Sequence, residues 1–593
     1  MAKETEKVSK WKNRIKAAEK SWNQWYEKFQ VKKLQEYYEG FQWPEGEEGY
    51  TVNLMFPFVE TRKPSLLFFE PKAKVHPRPA RSDDKGTVDA RARLREDTLN
   101  TLVQDPNTGF SHSIQLSLHE SFFGYGVIET GYDAEFVDNP RASAPELADE
   151  SKKSERDPLD QLEKIPENER VYVKRIPFTN FRVPFNAKNR LQDCDWCCYE
   201  EYFHVSDLKK DDRLSTKDLK ASGYVEKEHA PELDDKEKTE FGDLVLIYKI
   251  YDLRLMKRHI IAEGHRTFLL QDEPLDRNPF SVLRYHERLD EFYPIPPLFN
   301  LLNPQDQLNQ AREMRRIHRK RALRKFLMKK GALDESDLMK LEGGPDMTIV
   351  ESNIDLDNAL RPILDAQLDP AIFRDMEDIR MDFIEISGQG SEQRGVSTAE
   401  TATQASIIDS RARIRENFQR LFVGQWVSSI LTNMLEVVEN DMSLNFWIMT
   451  NVDLTSMKAP EEAMRVAGLW KQITSDTLGE LTYDVSVDID ALSPVAEATQ
   501  RESWNQVLAL LSNVNLLMML SQSPTLLRKT LNMHGVRSGL EIDEIQRVGD
   551  MVVKMFMQQQ QQGMGSDTPA GPGSTPDAGQ MDAQLAQQVG MTR

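Results

Sequence analysis

Three aspartates in YDVSVDID, Asp484, Asp488 and Asp490, are spaced so that a divalent cation could sit among their carboxylates. Oxygen donors suit a hard ion, but a calcium loop also needs a glycine turn and a closing glutamate, and neither follows. The alternation reads instead as a strand with apolar residues inward and acids outward. Cysteine offers a second chemistry. All three cysteines, Cys194, Cys197 and Cys198, fall in one short run, and Cys-x2-Cys near His204 is half of a zinc donor set. No second Cys or His pair follows at finger spacing, so no metal is expected. The run CDWCCYEEYF reads as a strand carrying small, half-buried cysteines. An odd, clustered set also excludes a disulfide framework and agrees with a reducing compartment.

Motifs for bond-making are missing. No G-x-x-x-x-G-K-[ST] loop exists to cradle phosphates, and neither H-E-x-x-H nor G-x-S-x-G occurs. Gly388, Gly390 and Gly395 have the wrong spacing for a dinucleotide fingerprint. The expectation is a non-enzyme without a cofactor.

Charge is more informative. The 593 residues carry a formal charge of −20, yet Arg312 to Lys330 holds ten Lys or Arg in nineteen residues. Free-standing DNA binders are usually basic, so any nucleic-acid role here must be local, or must depend on not sticking. Within the basic run Arg312, Arg316, Lys320 and Arg324 step by four. Further on, Asp375, Asp378, Asp382 and Glu385 step by three and four, beside an apolar stripe of Ile372, Met376, Ile379, Phe383 and Ile386. Packed antiparallel, two such helices bring opposite signs together, within or between copies. Exposed pairs contribute little energy individually, so their role would be register and partner choice. Two alternatives stay open: independently solvated faces, or arginines that touch DNA phosphates.

The elements that carry these stripes follow from periodicity. Residues 5 to 40 read as a helix, with Trp11, Ile15, Ala18, Trp22, Trp25, Tyr26 and Phe29 at three- and four-residue steps and Gly40 ending it. Residues 51–79 read as extended, followed by helices near 86–104 and 111–123. Strands are expected from Gly124 and at 170–184, 195–204 and 243–270, with 138–169 a solvated insertion. Asn303-Pro304 opens a helix to about Lys329, with a narrow stripe of Leu308, Ala311, Met314 and Ile317. Residues 330–368 read as short and β-like, including a strand MTIVES. Asp369-Pro370 opens the acidic helix, and a glycine-rich loop ends it. A long helix from 398 to about 440 follows, then strands at 444–455 and 483–490, helices over 494–560 and a low-complexity tail. The N-terminus has no apolar leader, and the longest apolar stretch, Val507 to Leu520, is short of the ~20 residues a bilayer crossing needs, so no membrane segment is expected. The fold class is α+β with a mainly helical C-terminus.

That order, with several phrases inside it, resembles the tailed-bacteriophage portal (head-to-tail connector) family. NLMFPFVETRKPSLLFFEPKAKVHPRP, SFFGYGVIETGYD, IPFTNFRVPFNAKNRLQDCDW, PPLFNLLNPQDQLNQAREM and GVSTAETATQASIIDSRARIRENFQRLF are similar to successive portal segments. The likeness covers about residues 50 to 520. It implies a portal fold: wing over 1–295, first stem helix 296–329, clip 330–368, second stem helix 369–386 and tunnel loop 387–397. It continues with wing over 398–493, crown over 494–560 and a tail over 561–593. Gln389, Ser391, Glu392, Gln393 and Arg394 would be the tunnel loop facing DNA. The family also implies a homododecameric ring at one capsid vertex, made in the host cytoplasm and placed in the virion. Its partners would be the large terminase subunit, a head-tail adaptor, the major capsid protein, a scaffold protein and dsDNA in the channel. The alternatives are another structural connector or scaffold protein, or a metal-dependent nucleic-acid enzyme using the Asp row.

Overall fold

The computed structural model describes residues 2–138 (except 45, 47, 48, 68–70 and 79–84), 164–223 (except 212), 242–321, 326–328, 334–337, 339, 360–362, 370–388, 402–442, 446–449, 470–473, 478 and 481–487, some by backbone alone. All belong to one unit, Met1–Ala496; Glu497–Arg593 make up a second. The helices expected over 494–560, the tail and the MTIVES strand lie outside the described residues.

Helix α1 (Ala2–Lys28) bridges two cores. Its first half buries Val8, Trp11, Ile15 and Ala18 with Trp196, Leu246, Ile250 and Phe268, and its second half carries Trp22, Trp25 and Phe29 into the main core. The stripe is as expected, but the helix is not continuous. Gln30 turns left-handed (φ 49°, ψ 44°), and α2 (Val31–Glu39) starts anew with Val31, Leu34 and Tyr37 buried. Gly40, at φ 100°, ends it, a conformation that glycine adopts without strain.

The expected extended stretch 51–79 is instead helix α3 (Met55–Leu66), then strand β1 (Ala73–Pro77). The Asn53 side chain accepts from the backbone N–H of Met55 and Phe56, both at 3.1 Å, which caps the helix. Pro57 then falls in the first turn, where no N–H is needed, and Pro64 sits in the last. Helices α4 (Lys85–Gln104) and α5 (Phe110–Glu120) follow as expected.

Two antiparallel sheets come next. Strands β2 (Gly126–Asp138), β3 (Lys164–Ile176) and β9 (Phe280–Leu283) form one, in the order β3-β2-β9. Strands β4 (Phe181–Arg182), β5 (Trp196–His204), β6 (Leu244–Asp252), β7 (Lys257–Ala262) and β8 (Phe268–Pro274) form the other in sequence order. Of the insertion expected over 138–169, Asp138 belongs to β2 and 164–169 to β3, and 139–163 lie outside the described residues. A buried carboxylate ties the sheets together: Glu129 of β2 accepts from the hydroxyls of Tyr199 (2.8 Å) and Tyr251 (2.6 Å).

The long helix, Ala402–Asn440, spans about 58 Å at the usual rise per residue. Its segment Glu416–Asn440 is long and apolar enough to cross a bilayer, but Val423, Val427, Ile430, Leu431, Met434, Leu435 and Val438 are buried in the main core. Phe418 and Leu421 of the same helix are exposed. At the near end, buried Glu416 faces the guanidinium groups of Arg420 and Arg62. At the far end Glu439 holds Arg95 at 2.7 Å. A further strand, Tyr483–Val487, pairs with β1, its Val485 and Val487 buried and Asp484 outward. The chain is thus a mixed helix-and-sheet protein whose sheets are antiparallel.

Candidate functional site

The charge stripes lie on a helical hairpin. The basic helix, Leu302–Arg321, continues from a 3-10 turn at Phe299–Leu301. It begins one residue before Asn303, so Asn303 lies inside the first turn rather than capping it, while Pro304 keeps the first-turn position that proline tolerates. The helix is described to Arg321, and the continuation expected to about Lys329 is broken by a strand at Phe326–Met328. Residues Phe326–Met328 form β10 and pair antiparallel with β11 (Leu360–Pro362). Here strand pairing overrides the helical propensity of a Lys-, Arg- and Leu-rich run. The acidic helix, Pro370–Ser387, brings the chain back to the 3-10 turn, so the two helices run antiparallel. It ends on Gly388 at φ 68°, whose N–H donates to the carbonyls of Ile384 (2.9 Å) and Glu385 (3.3 Å).

Among the described side chains, the apolar packing of the hairpin lies at its base. Leu308 and Ala311 cluster with Met376 and Ile379, with Val52 and Leu54 at the edge, and Phe383 joins the main core. The expected stripe therefore splits: Met314 and Ile317 are 59% and 37% exposed, and Ile386 is exposed too.

A polar clamp, which sequence reading missed, holds that base. Buried Gln305 donates to Gln42 Oε1 (2.9 Å) and the Val52 carbonyl (2.7 Å), and accepts from the Leu54 N–H (3.1 Å). Buried Asn309 donates to Gln42 Oε1 and accepts from the Val52 N–H. Beside them Asp306 accepts from the Tyr37 hydroxyl (2.5 Å) and from Lys33 Nζ (3.0 Å). Burial, then Asp306, push the Tyr37 phenol up from its usual value. The available signal was two amides four residues apart on the buried face of a helix.

Of the two stripes, the described side chains are those of Arg312 and Arg316 on the basic helix and all four acids on the other. Arg316 pairs with Glu313 of its own helix, at 2.7 and 2.8 Å, and Glu313 also takes the Tyr50 N–H at 2.9 Å. Asp375, Asp378, Asp382 and Glu385 are all exposed, and the first three have no ion pair among the described residues. Arg312 is half-buried, and its Nε has no hydrogen-bond partner among the described residues. Lys320 lies on the basic helix, but its side chain is outside what is described, as is Arg324. Gln389, Ser391, Glu392, Gln393 and Arg394 lie outside the described residues, and so does most of 330–368.

The rival chemistries are differently placed. Asp484 is engaged by Arg78 Nε and Nη2, at 2.5 and 2.6 Å, while Asp488 and Asp490 are outside the described residues. Cys194, Cys197 and Cys198 are buried rather than half-buried, and burial pushes the Cys194 thiol up to about 11 and raises the Cys197 thiol well above its usual value. Among the described residues no three His, Cys, Asp or Glu side chains gather to hold a metal. Comparison of the sequence with protein-family models and with curated proteins finds no match.

Proposed function

We propose that this chain is a portal subunit: copies form a ring at a capsid vertex, and dsDNA passes through the hole during packaging and ejection. The observation that carries the reading is the hairpin 302–387. It pairs a basic with an acidic helix, is clamped at its base to an α+β body, and leaves charged and apolar side chains exposed beyond the clamp. Such a hairpin suits an element that is completed by neighbours. The long helix, buried in the main core from Val423 to Val438, serves as a strut. In this reading the tunnel loop 389–394 faces DNA, residues 330–368 dock the large terminase subunit and later the head-tail adaptor, and the body meets the major capsid protein. The ring needs no cofactor, because moving DNA is the motor's work. Negative-stain imaging of the purified chain is the test. Rings with a central hole are expected, and a field of single globules would overturn the proposal.

A further inference from the structure

The clamp at the hairpin root continues outward as a ladder. Three side chains of the basic helix, one turn apart, accept alternate backbone N–H groups of the segment Tyr50–Leu54. Gln305 Oε1 takes Leu54 (3.1 Å), Asn309 Oδ1 takes Val52 (3.1 Å) and Glu313 Oε2 takes Tyr50 (2.9 Å). The segment therefore runs antiparallel to the helix. The steps match, since four helical residues advance about 6 Å and two residues of extended chain about 6.6 Å. Leu301 and Ile317, one turn to either side, have no side-chain acceptor to continue the series.

The rungs are not equivalent. Gln42 knits the inner two together: its Oε1 accepts from both Gln305 and Asn309, and all three side chains are buried. Gln305 Nε2 also donates back to the Val52 carbonyl at 2.7 Å. The outer rung has no bond to Gln42. Tyr50 is 50% exposed, and Glu313 Oε2 is shared with Arg316 Nε at 2.7 Å. We infer that Tyr50–Leu54 is a two-stage latch on the hairpin: the Tyr50–Glu313 rung opens alone, while the pair joined through Gln42 stays closed. Buried bonds that share a partner open together, and a solvent-facing bond opens first. Opening the outer rung unties one helical turn, from Asn309 to Glu313, next to the exposed Met314 and Ile317. Trp43 keeps the opened segment in shape, because its Nε1 donates to Thr51 Oγ1 at 3.0 Å. The latch belongs to the single chain and does not depend on ring assembly.

Amide hydrogen exchange of the full chain, resolved to single residues, tests the latch. In wild type the protection of Tyr50 should fall between that of Val52 and that of Thr51, whose N–H has no acceptor among the described residues. Glu313→Ala should lower Tyr50 protection about tenfold and leave Val52 and Leu54 as they were. Glu313→Gln keeps an acceptor oxygen and should stay near wild type. Asn309→Ala should lower Val52 and Leu54 together, although the acceptor of Leu54 is untouched. Unchanged protection at Ile430, buried in the long helix, shows that each variant is folded. If Glu313→Ala lowers all three amides alike, the ladder is one unit and the latch is wrong. If Asn309→Ala lowers Val52 but not Leu54, Gln42 does not join the inner rungs, and the two-stage order is equally wrong.

Discussion

Gln305 donates its side-chain amide to Gln42 Oε1 at 2.9 Å, joining residues 263 positions apart where the basic helix leaves the body. Both are buried, and the same Gln42 oxygen also serves Asn309. The hairpin root is therefore fixed by hydrogen bonds, which specify direction, as well as by apolar packing, which does not.

Removing one member should be costly. Asn309→Ala leaves the Val52 N–H without its acceptor and costs about 1–3 kcal/mol in urea unfolding. Arg319→Ala, on the exposed half, should change stability by under about 0.5 kcal/mol.

Glu416 is the second structural test. It is buried between Arg62 and Arg420, which belong to different helices. Glu416→Ala strands two buried cations and should destabilise by about 3–5 kcal/mol, measured by denaturant unfolding. Replacing all three residues together by apolar ones should cost much less.

Stability should also depend on proton binding at Glu120. Burial pushes its carboxyl up to about 7 from 4.5, against the opposing pull of Arg175 at 2.8 Å. The folded chain then holds a proton that the unfolded chain releases between those values, so this group's contribution to stability falls as pH rises from 4.5 through about 7. Glu120→Gln should melt above wild type near pH 8 and level with it below pH 4.5. An equal gap at both pH values would rule out this linkage.

Assembly should be salt-sensitive. Raising salt from about 0.1 to about 1 M shortens the screening length from ~10 to ~3 Å. Steering between the basic and acidic helices weakens accordingly, and the association rate should fall about tenfold by light scattering.

The sequence displayed its own periodicities well. The Trp11 to Phe29 stripe, the Met376–Ile379–Phe383 stripe and the acids beside it are local facts of helix spacing, and the structure places them as read. Conformations decided by distant contacts were hidden. Residues 51–79 read as extended, and the helix Met55–Leu66 went unseen with its cap from Asn53. Met314 and Ile317 continue the spacing of Leu308 and Ala311, yet nothing in spacing says that the partner surface ends after Ala311. The clamp was invisible for the same reason, since Gln305 and Asn309 find Gln42 and Val52 from far along the chain. Arg316 looked available to the acidic stripe, but Glu313, one turn back, reaches it first. The tunnel-loop residues were read from resemblance alone.

Native mass spectrometry of the wild-type chain at near-physiological salt tests the central claim most directly. The account predicts one dominant closed species at a fixed multiple of the 68.3 kDa chain, twelve if the portal resemblance extends to copy number. A spectrum that holds only the 68.3 kDa chain up to high concentration would contradict it.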